Sequence, residues 1–349
     1  MILRSKSLIA TPPGYAIKEQ LEDRRFTQKE FALRMDMSEK HISKLINGEV
    51  LLTTDMALRL EMVLGIPAQF WLNLEAIYRE KIAKIELENN MQQDAEIASH
   101  FPYHQMVALG WVNQASTKIE RVINLRKFFE VSRLGLLFEN NKINVLYRRI
   151  EANEKANYAL MAWAQRVRVL SRDYVTSSLN IAGLKKCIPV FRRMTKQTPD
   201  TFKEELKEIM AKNGVALVFL PHLKSTYLHG ATFYDGNRVV MGLTIRGKEA
   251  DRFWFSFFHE LGHIILGHID YEYDKNMEKE ADDFAEESLI PLKEYERFLT
   301  KRDFSKKSII EFAEQIDIDV GVVVGRLQWK KYIQYNQFTE LKKTYDLEN

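Results

Sequence analysis

The stretch Phe253-Trp-Phe-Ser-Phe-Phe-His259-Glu260-Leu-Gly-His263-Ile-Ile-Leu-Gly-His268 contains a His-Glu-x-x-His pattern. On a helix, residues four apart share a face, so His259 and His263 can offer two imidazole nitrogens to one metal ion, with Glu260 one step round beside them. Two neutral histidines and one further protein ligand leave zinc a fourth position for water, whose pKa falls to about 7, and a neighbouring carboxylate can take its proton. The aromatic residues before the motif suit a buried helix, where a cluster of His and Glu without a metal leaves polar groups to be satisfied in an apolar setting. Gly262 costs helix stability and points to a close approach by another element.

The third ligand has to come from outside the motif. His268 is one source, although Leu266 and Ile269 stand where a longer zinc-binding pattern of this kind has glycine and histidine. The better source is Glu278-Lys-Glu280-Ala-Asp282-Asp-Phe-Ala-Glu-Glu-Ser-Leu-Ile-Pro291, which reads as a helix ended by proline. Glu278, Ala281, Asp282 and Ala285 share one of its faces, and the alanines let that face come close to the metal helix. On this geometry Glu278 is the ligand and Asp282, one turn on, orients a ligand histidine from behind. Glu280, on the side of Phe284, is the alternative.

Ahead of the motif the period changes from helical to extended. Lys212-Asn-Gly-Val-Ala-Leu-Val-Phe-Leu-Pro221 reads as a strand, and two more runs, Gly230-Ala-Thr-Phe-Tyr and Arg238-Val-Val-Met-Gly-Leu-Thr-Ile245, flank the hairpin signal Asp235-Gly236-Asn237. A small sheet therefore precedes the metal helix, and its edge strand can hold an extended peptide by strand addition. Beyond the site, 305–346 carries two apolar helical runs, expected to pack onto this domain.

At the other end of the chain, Thr27-Gln-Lys-Glu is a capping-box pattern for a helix running to about Met35, with Phe31, Ala32 and Met35 inside. A second helix opens at Ser38, buries Ile42 and Leu45 and stops at Asn47-Gly48. Two helices joined by so short a turn form a helix-turn-helix, with Asp36 where many such turns carry glycine. Between the two ends, helices through Arg193 form a middle region with about three times as many Lys and Arg as Asp and Glu. Its cations, including Arg121, Arg126, Lys127, Arg148, Arg149, Arg166, Arg168, Lys185, Lys186, Arg192 and Arg193, are either a second contact with DNA, a dock for an acidic partner, or solvated helix faces.

Composition bounds the rest. With 349 residues, 46% hydrophobic and 28% charged, the chain can bury real cores in two or three domains. Its net charge of +3 hides the basic middle, and acidic and basic residues balance over 1–80, so DNA affinity there rests on local placement and dimerisation. The single cysteine, Cys187, excludes internal disulfides and thiolate-rich metal sites and reads as a packing residue. No run is long and apolar enough for a membrane span, and the start lacks a signal-peptide pattern, so a cytoplasmic location is expected.

Two resemblances sharpen these expectations. The segment through Ile46-Asn-Gly-Glu and on to Leu64-Gly-Ile-Pro-Ala-Gln-Phe-Trp-Leu-Asn-Leu-Glu-Ala-Ile-Tyr78 resembles the Cro/CI-type (XRE) helix-turn-helix domain of HigA-like antitoxins. This implies that the second helix enters the major groove, presenting Glu39, Lys40, Ser43, Lys44 and Asn47 to bases, with Gln28 and Ser38 near phosphates. The metal motif, followed by Glu278-x-x-Ala-Asp-x-Phe-Ala and Leu289-Ile-Pro291, looks like the ImmA/IrrE metallopeptidase family, whose zincin-like fold places a small sheet before the motif helix. Together they imply an operator-binding, homodimeric regulator with a zinc-dependent endopeptidase acting on a partner repressor or antitoxin or on itself, and with a cognate toxin or repressor protein as partner. The alternative is an antitoxin and autorepressor whose zinc domain is structural or sensory. The expected fold is α+β and mostly α, with a helix-turn-helix domain over 1–80, a helical basic region over 81–205, a zincin-like domain over 206–300 and a helical cap over 301–349.

Overall fold

The computed structural model describes residues 3–4, 8–139, 154–223, 229–244, 249–270 and 274–345. Arg148, Arg149 and Ile245 lie outside them. Contacts divide the chain into two compact units, Met1–Ile97 and Ala98–Asn349. No helix among the described residues is long and apolar enough to cross a membrane.

The first unit has a short antiparallel pair, β1 (Leu3–Arg4) and β2 (Ile9–Ala10), and helices α1 (Gly14–Asp23), α2 (Gln28–Arg34), α3 (Glu39–Ile46), α4 (Thr54–Leu64) and α5 (Ala68–His100), within which the unit boundary falls. Capping sets these starts. Thr27, Ser38 and Thr53 each accept from the backbone N–H three residues on, at 3.1, 3.2 and 3.3 Å. The reciprocal half of the expected capping box is not made by the Glu30 side chain with Thr27; its carboxylate pairs instead with Arg34 at 2.7 Å, one turn on. Asp36 takes the left-handed conformation (φ 54°), and Arg59 donates to the carbonyls of Met35 and Asp36, which pins the turn between α2 and α3. Phe31, Ala32, Met35, Ile42 and Leu45 close on Ile17, Leu60 and Trp71, so the inward faces expected of both helices form the core of this unit.

The second unit continues with α6 (Tyr103–Ala108), α7 (Lys118–Phe129), α8 (Leu136–Glu139), α9 (Glu154–Ser171), α10 (Ile181–Met194) and α11 (Pro199–Lys212), numbered over the described residues. The sheet follows: β3 (Val215–Phe219), β4 (Gly230–Asp235) and β5 (Arg238–Leu243). Strand β3 stops short of Pro221, which has no N–H for a ladder, and β4 runs one residue past Tyr234, to Asp235, before the turn at Gly236-Asn237. The order is β3-β5-β4, with β5 parallel to β3 and antiparallel to β4, which leaves β4 an edge strand. Val215, Leu217, Val239 and Met241 face α11 and the next helix, α12 (Ala250–Ile265). On the opposite face, Gly242 lies under the ring of Trp163 from α9.

After α12 come a single 3-10 turn (His268–Asp270), α13 (Lys275–Leu289), α14 (Leu292–Thr300), α15 (Lys306–Gln315) and α16 (Val320–Trp329). Phe253, Trp254, Phe257, Phe258 and Leu261 bury one side of α12 in the largest core cluster, with Phe202 tilted against Trp254, Tyr345 edge-on to Phe253 and the Trp254 indole donating to the Tyr345 hydroxyl at 2.9 Å. The C-terminal helices pack onto this domain. Arg326 of α16 donates to the carbonyls of Glu286 and Ile290, satisfying the end of α13.

Helices α12 and α13 meet at backbone distance. A Cβ placed on Gly262 would stand 3.0 Å from the Phe284 ring and 3.3 Å from Ala281 Cα, and Ala281 and Ala285 are fully buried. Gly262→Val should therefore push α13 away and lower the stability of this unit by about 1–3 kcal/mol, the usual cost of overpacking. Urea unfolding measures it; a midpoint equal to that of the parent chain would mean the contact is looser than described.

Candidate metal centre and nucleic-acid interface

With its aromatic side in the core, α12 turns His259 and His263 toward α13. The two Nε2 atoms lie 3.1 Å apart. Glu278 reaches both, Oε2 at 3.3 Å from His259 Nε2 and Oε1 at 3.5 Å from His263 Nε2. His263 is fully buried, while the side chains of His259 and Glu278 are 16% and 34% exposed, so the centre is open on their side.

This donor set fits a cation. Ligand atoms held about 2.0–2.2 Å from a tetrahedral ion stand roughly 3.3–3.6 Å from one another, and the separations here run from 3.1 to 3.5 Å. His259, His263 and Glu278 form a group of possible ligands whose donor atoms all fall within 4.8 Å. Burial alone disfavours a charged His259 ring, but the carboxylates of Asp282, Glu278 and Glu260 outweigh it and push its pKa up to about 10. A proton and a metal ion thus compete for one nitrogen.

Behind the motif histidines, Asp282 Oδ1 lies 2.8 Å from His259 Nδ1. The structure thus brings Asp282 against one of the two motif histidines. His268 and Glu280, the two alternatives for the third ligand, stand elsewhere: His268 Nδ1 is 3.1 Å from His263 Nδ1, and its Nε2 is 3.0 Å from Glu280 Oε2. Both sit on the far side of His263 from Glu278. Gly267 brings His268 back, since its φ of 76° reverses the chain just after α12.

Glu260, one residue from His259, is 4% exposed and points to the sheet side, where the Thr232 hydroxyl of β4 donates to its Oε2 at 2.7 Å. The sequence pattern alone does not mark Thr232. Its one signal is a buried hydroxyl on an otherwise apolar strand facing the motif helix, visible only once β4 is paired with β5.

In the first unit, Lys40 and Lys44 stand one turn apart on the exposed face of α3, with Glu39 and Asn47 also exposed. Ser43 is half-buried, and Gln28, Ser43 and Asn47 line one cavity of about 460 Å³ together with Lys18 and Tyr15 of α1. The Gln28 amide donates to the Glu39 carbonyl at 3.4 Å, joining the two helices of the motif. Ser38 is brought to the same edge, with its hydroxyl engaged in capping α3.

Much of the basic middle region is used internally. Arg172 pairs with Glu130 at 2.6 Å, Arg168 with Asp235 at 3.4 Å, Arg192 donates to the Ile316 carbonyl at 2.6 Å, and Arg126 is 9% exposed. Cys187 is a half-buried free thiol packed against the core, 3.9 Å from the Asn213 amide.

Comparison with known proteins agrees with this geometry at both ends. Residues 17–71 match the helix-turn-helix family, and residues 212–327 match the family described as IrrE N-terminal-like domain, of the M78 peptidases. Over 63 residues the chain is 38% identical to an uncharacterized HTH-type transcriptional regulator of Escherichia coli K12, YddM, covering 18% of this chain and 67% of that protein. Over 87 residues it is 36% identical to a second, YbaQ, covering 25% of this chain and 74% of the relative. The chain belongs to the DNA-binding HTH-type transcriptional regulators and joins that helix-turn-helix to an IrrE N-terminal-like domain of the M78 peptidase type.

Proposed function

We propose that this protein is an operator-binding regulator whose C-terminal unit is a zinc-dependent endopeptidase, acting on a partner repressor or antitoxin or on its own chain. The observation that carries the reading is the convergence of His259, His263 and Glu278 on one point, with a buried carboxylate, Glu260, next in sequence and outside the ligand set. Zinc would supply Lewis acidity there, enough to bring the pKa of water to about 7. Glu260 takes the water's proton, and the Thr232 hydroxyl holds that carboxylate in place. Asp282 holds the His259 ring through Nδ1, which leaves Nε2 as the nitrogen that would hold the zinc. Strand β4 lies at the edge of the three-stranded order among the described residues, where an extended peptide can add as a further strand.

At the other end, α3 is the recognition helix, with Lys40, Ser43, Lys44 and Asn47 toward bases and Gln28 and Ser38 toward phosphates. A single short helix reads few base pairs, so the active DNA-binding form is a homodimer on a two-fold site near the gene's own promoter.

Three results test this. In weakly buffered solution near pH 8, zinc uptake should release close to one proton per ion, because His259 is protonated below its raised pKa of about 10 when no metal is bound; uptake that leaves the pH unchanged would remove His259 from the ligand set. Glu260→Gln should keep zinc and operator binding but lose cleavage by about two orders of magnitude or more, as for loss of a general base. If the parent protein cuts neither itself nor a neighbouring protein while Glu260→Gln regulates normally, the domain is structural or sensory. A Lys40→Ala, Lys44→Ala double variant should bind operator DNA about tenfold or more weakly in a band-shift titration, with a shallower salt dependence; unchanged affinity would move DNA reading off α3.

A further inference from the structure

His268 and Glu280 are used neither as ligands nor in the proposed proton transfer, yet they are tied to the centre by two hydrogen-bond distances. We propose that they form a directed line that fixes the tautomer of His263, so that its Nε2 is bare and presented to the metal. This inference rests on the reading of His259, His263 and Glu278 as ligands.

The direction follows from what each group can donate. A carboxylate only accepts, so the hydrogen in the 3.0 Å contact between His268 Nε2 and Glu280 Oε2 sits on the imidazole. A neutral ring protonated at Nε2 carries a lone pair at Nδ1. The hydrogen in the 3.1 Å contact between the two Nδ1 atoms therefore comes from His263. That leaves His263 Nε2 with a lone pair aimed at the point it shares with His259 Nε2, 3.1 Å away. His259 is held in one step, donating from Nδ1 to Asp282 at 2.8 Å. In the metal-free chain its second proton, on Nε2, is donated toward the His263 lone pair at 3.1 Å, and it is this proton that a metal ion displaces.

The interposed imidazole has a physical reason. The His263 side chain is 0% exposed and that of His268 6%, whereas Asp282 and Glu280 are 53% and 62% exposed. A carboxylate placed directly behind His263 would be buried with its charge, which is costly. His268 extends the reach, letting a solvated carboxylate set the proton on a ring it does not touch. His268 and Glu280 are thus positioning residues, acting through His263.

The test is zinc affinity of the whole chain by chelator competition. His268→Ala should weaken zinc binding by about 10–100-fold, the usual effect of removing a group that orients a ligand. His268→Asn places an acceptor oxygen near the position of Nδ1 and should recover most of that loss, whereas His268→Gln, whose amide nitrogen sits near Nε2, should recover less. Glu280→Ala removes an exposed side chain with no core cost and should still weaken zinc binding by about threefold or more. If His268→Ala fails to fold, Glu280→Ala and a long-range 1H–15N spectrum of the zinc-loaded, histidine-labelled chain decide: His268 should be protonated on Nε2 and bare on Nδ1. A His268 ring protonated on Nδ1, or a Glu280→Ala chain binding zinc as tightly as its parent, overturns the proposal. A parent chain that takes up no zinc at all would instead overturn the ligand reading beneath it.

Discussion

Everything at the candidate metal centre depends on how closely α13 can lie against α12. Gly262 presents bare backbone, and Ala281 and Ala285 answer it with single methyl groups, both fully buried. That approach sets Glu278 and Asp282 on one side of the histidines and Glu280 on the other, all from one helix fifteen residues long. Aromatic packing on the opposite side of α12, from Phe253 through Leu261 against Phe202 and Tyr345, anchors the helix in the core. The same helix is therefore core on one face and chemistry on the other.

Burial makes the centre demanding as well as precise. His263, His268 and Glu260 are each less than 9% exposed, and each has a named partner in His268, Glu280 or Thr232. Buried polar groups without such partners cost roughly 1–3 kcal/mol each, so the network is as much a requirement of folding as of function. The first unit meets a different constraint. It has no excess of positive charge, and Lys40 and Lys44 stand exposed on a helix whose start is set by Ser38 and whose entry turn is held by Arg59.

Legibility in the sequence followed the range of the physics. His259, His263 and their face on a helix follow from i, i+4 spacing, and Glu278 with Asp282 follows from the alanines that share their stripe; the structure brings all four together. The caps at Thr27 and Ser38 are equally local. Non-periodic and tertiary contacts were not legible. The place of His268 turns on one left-handed glycine, Gly267, and the contact of Thr232 with Glu260 turns on how β4 meets α12. The basic middle region reads as surface charge because the partners of Arg168 and Arg192, Asp235 and the Ile316 carbonyl, are far along the chain.

The central claim is that three side chains hold the metal and leave one position open. X-ray absorption fine structure at the zinc edge of the loaded protein tests it most directly. The account predicts four light-atom neighbours at about 2.0–2.1 Å, with outer-shell scattering from two imidazoles, and a first shell that changes when a small anion replaces the water. Scattering from three imidazoles, or a shell that no added anion perturbs, would contradict it, by bringing His268 onto the metal or by closing the site to substrate.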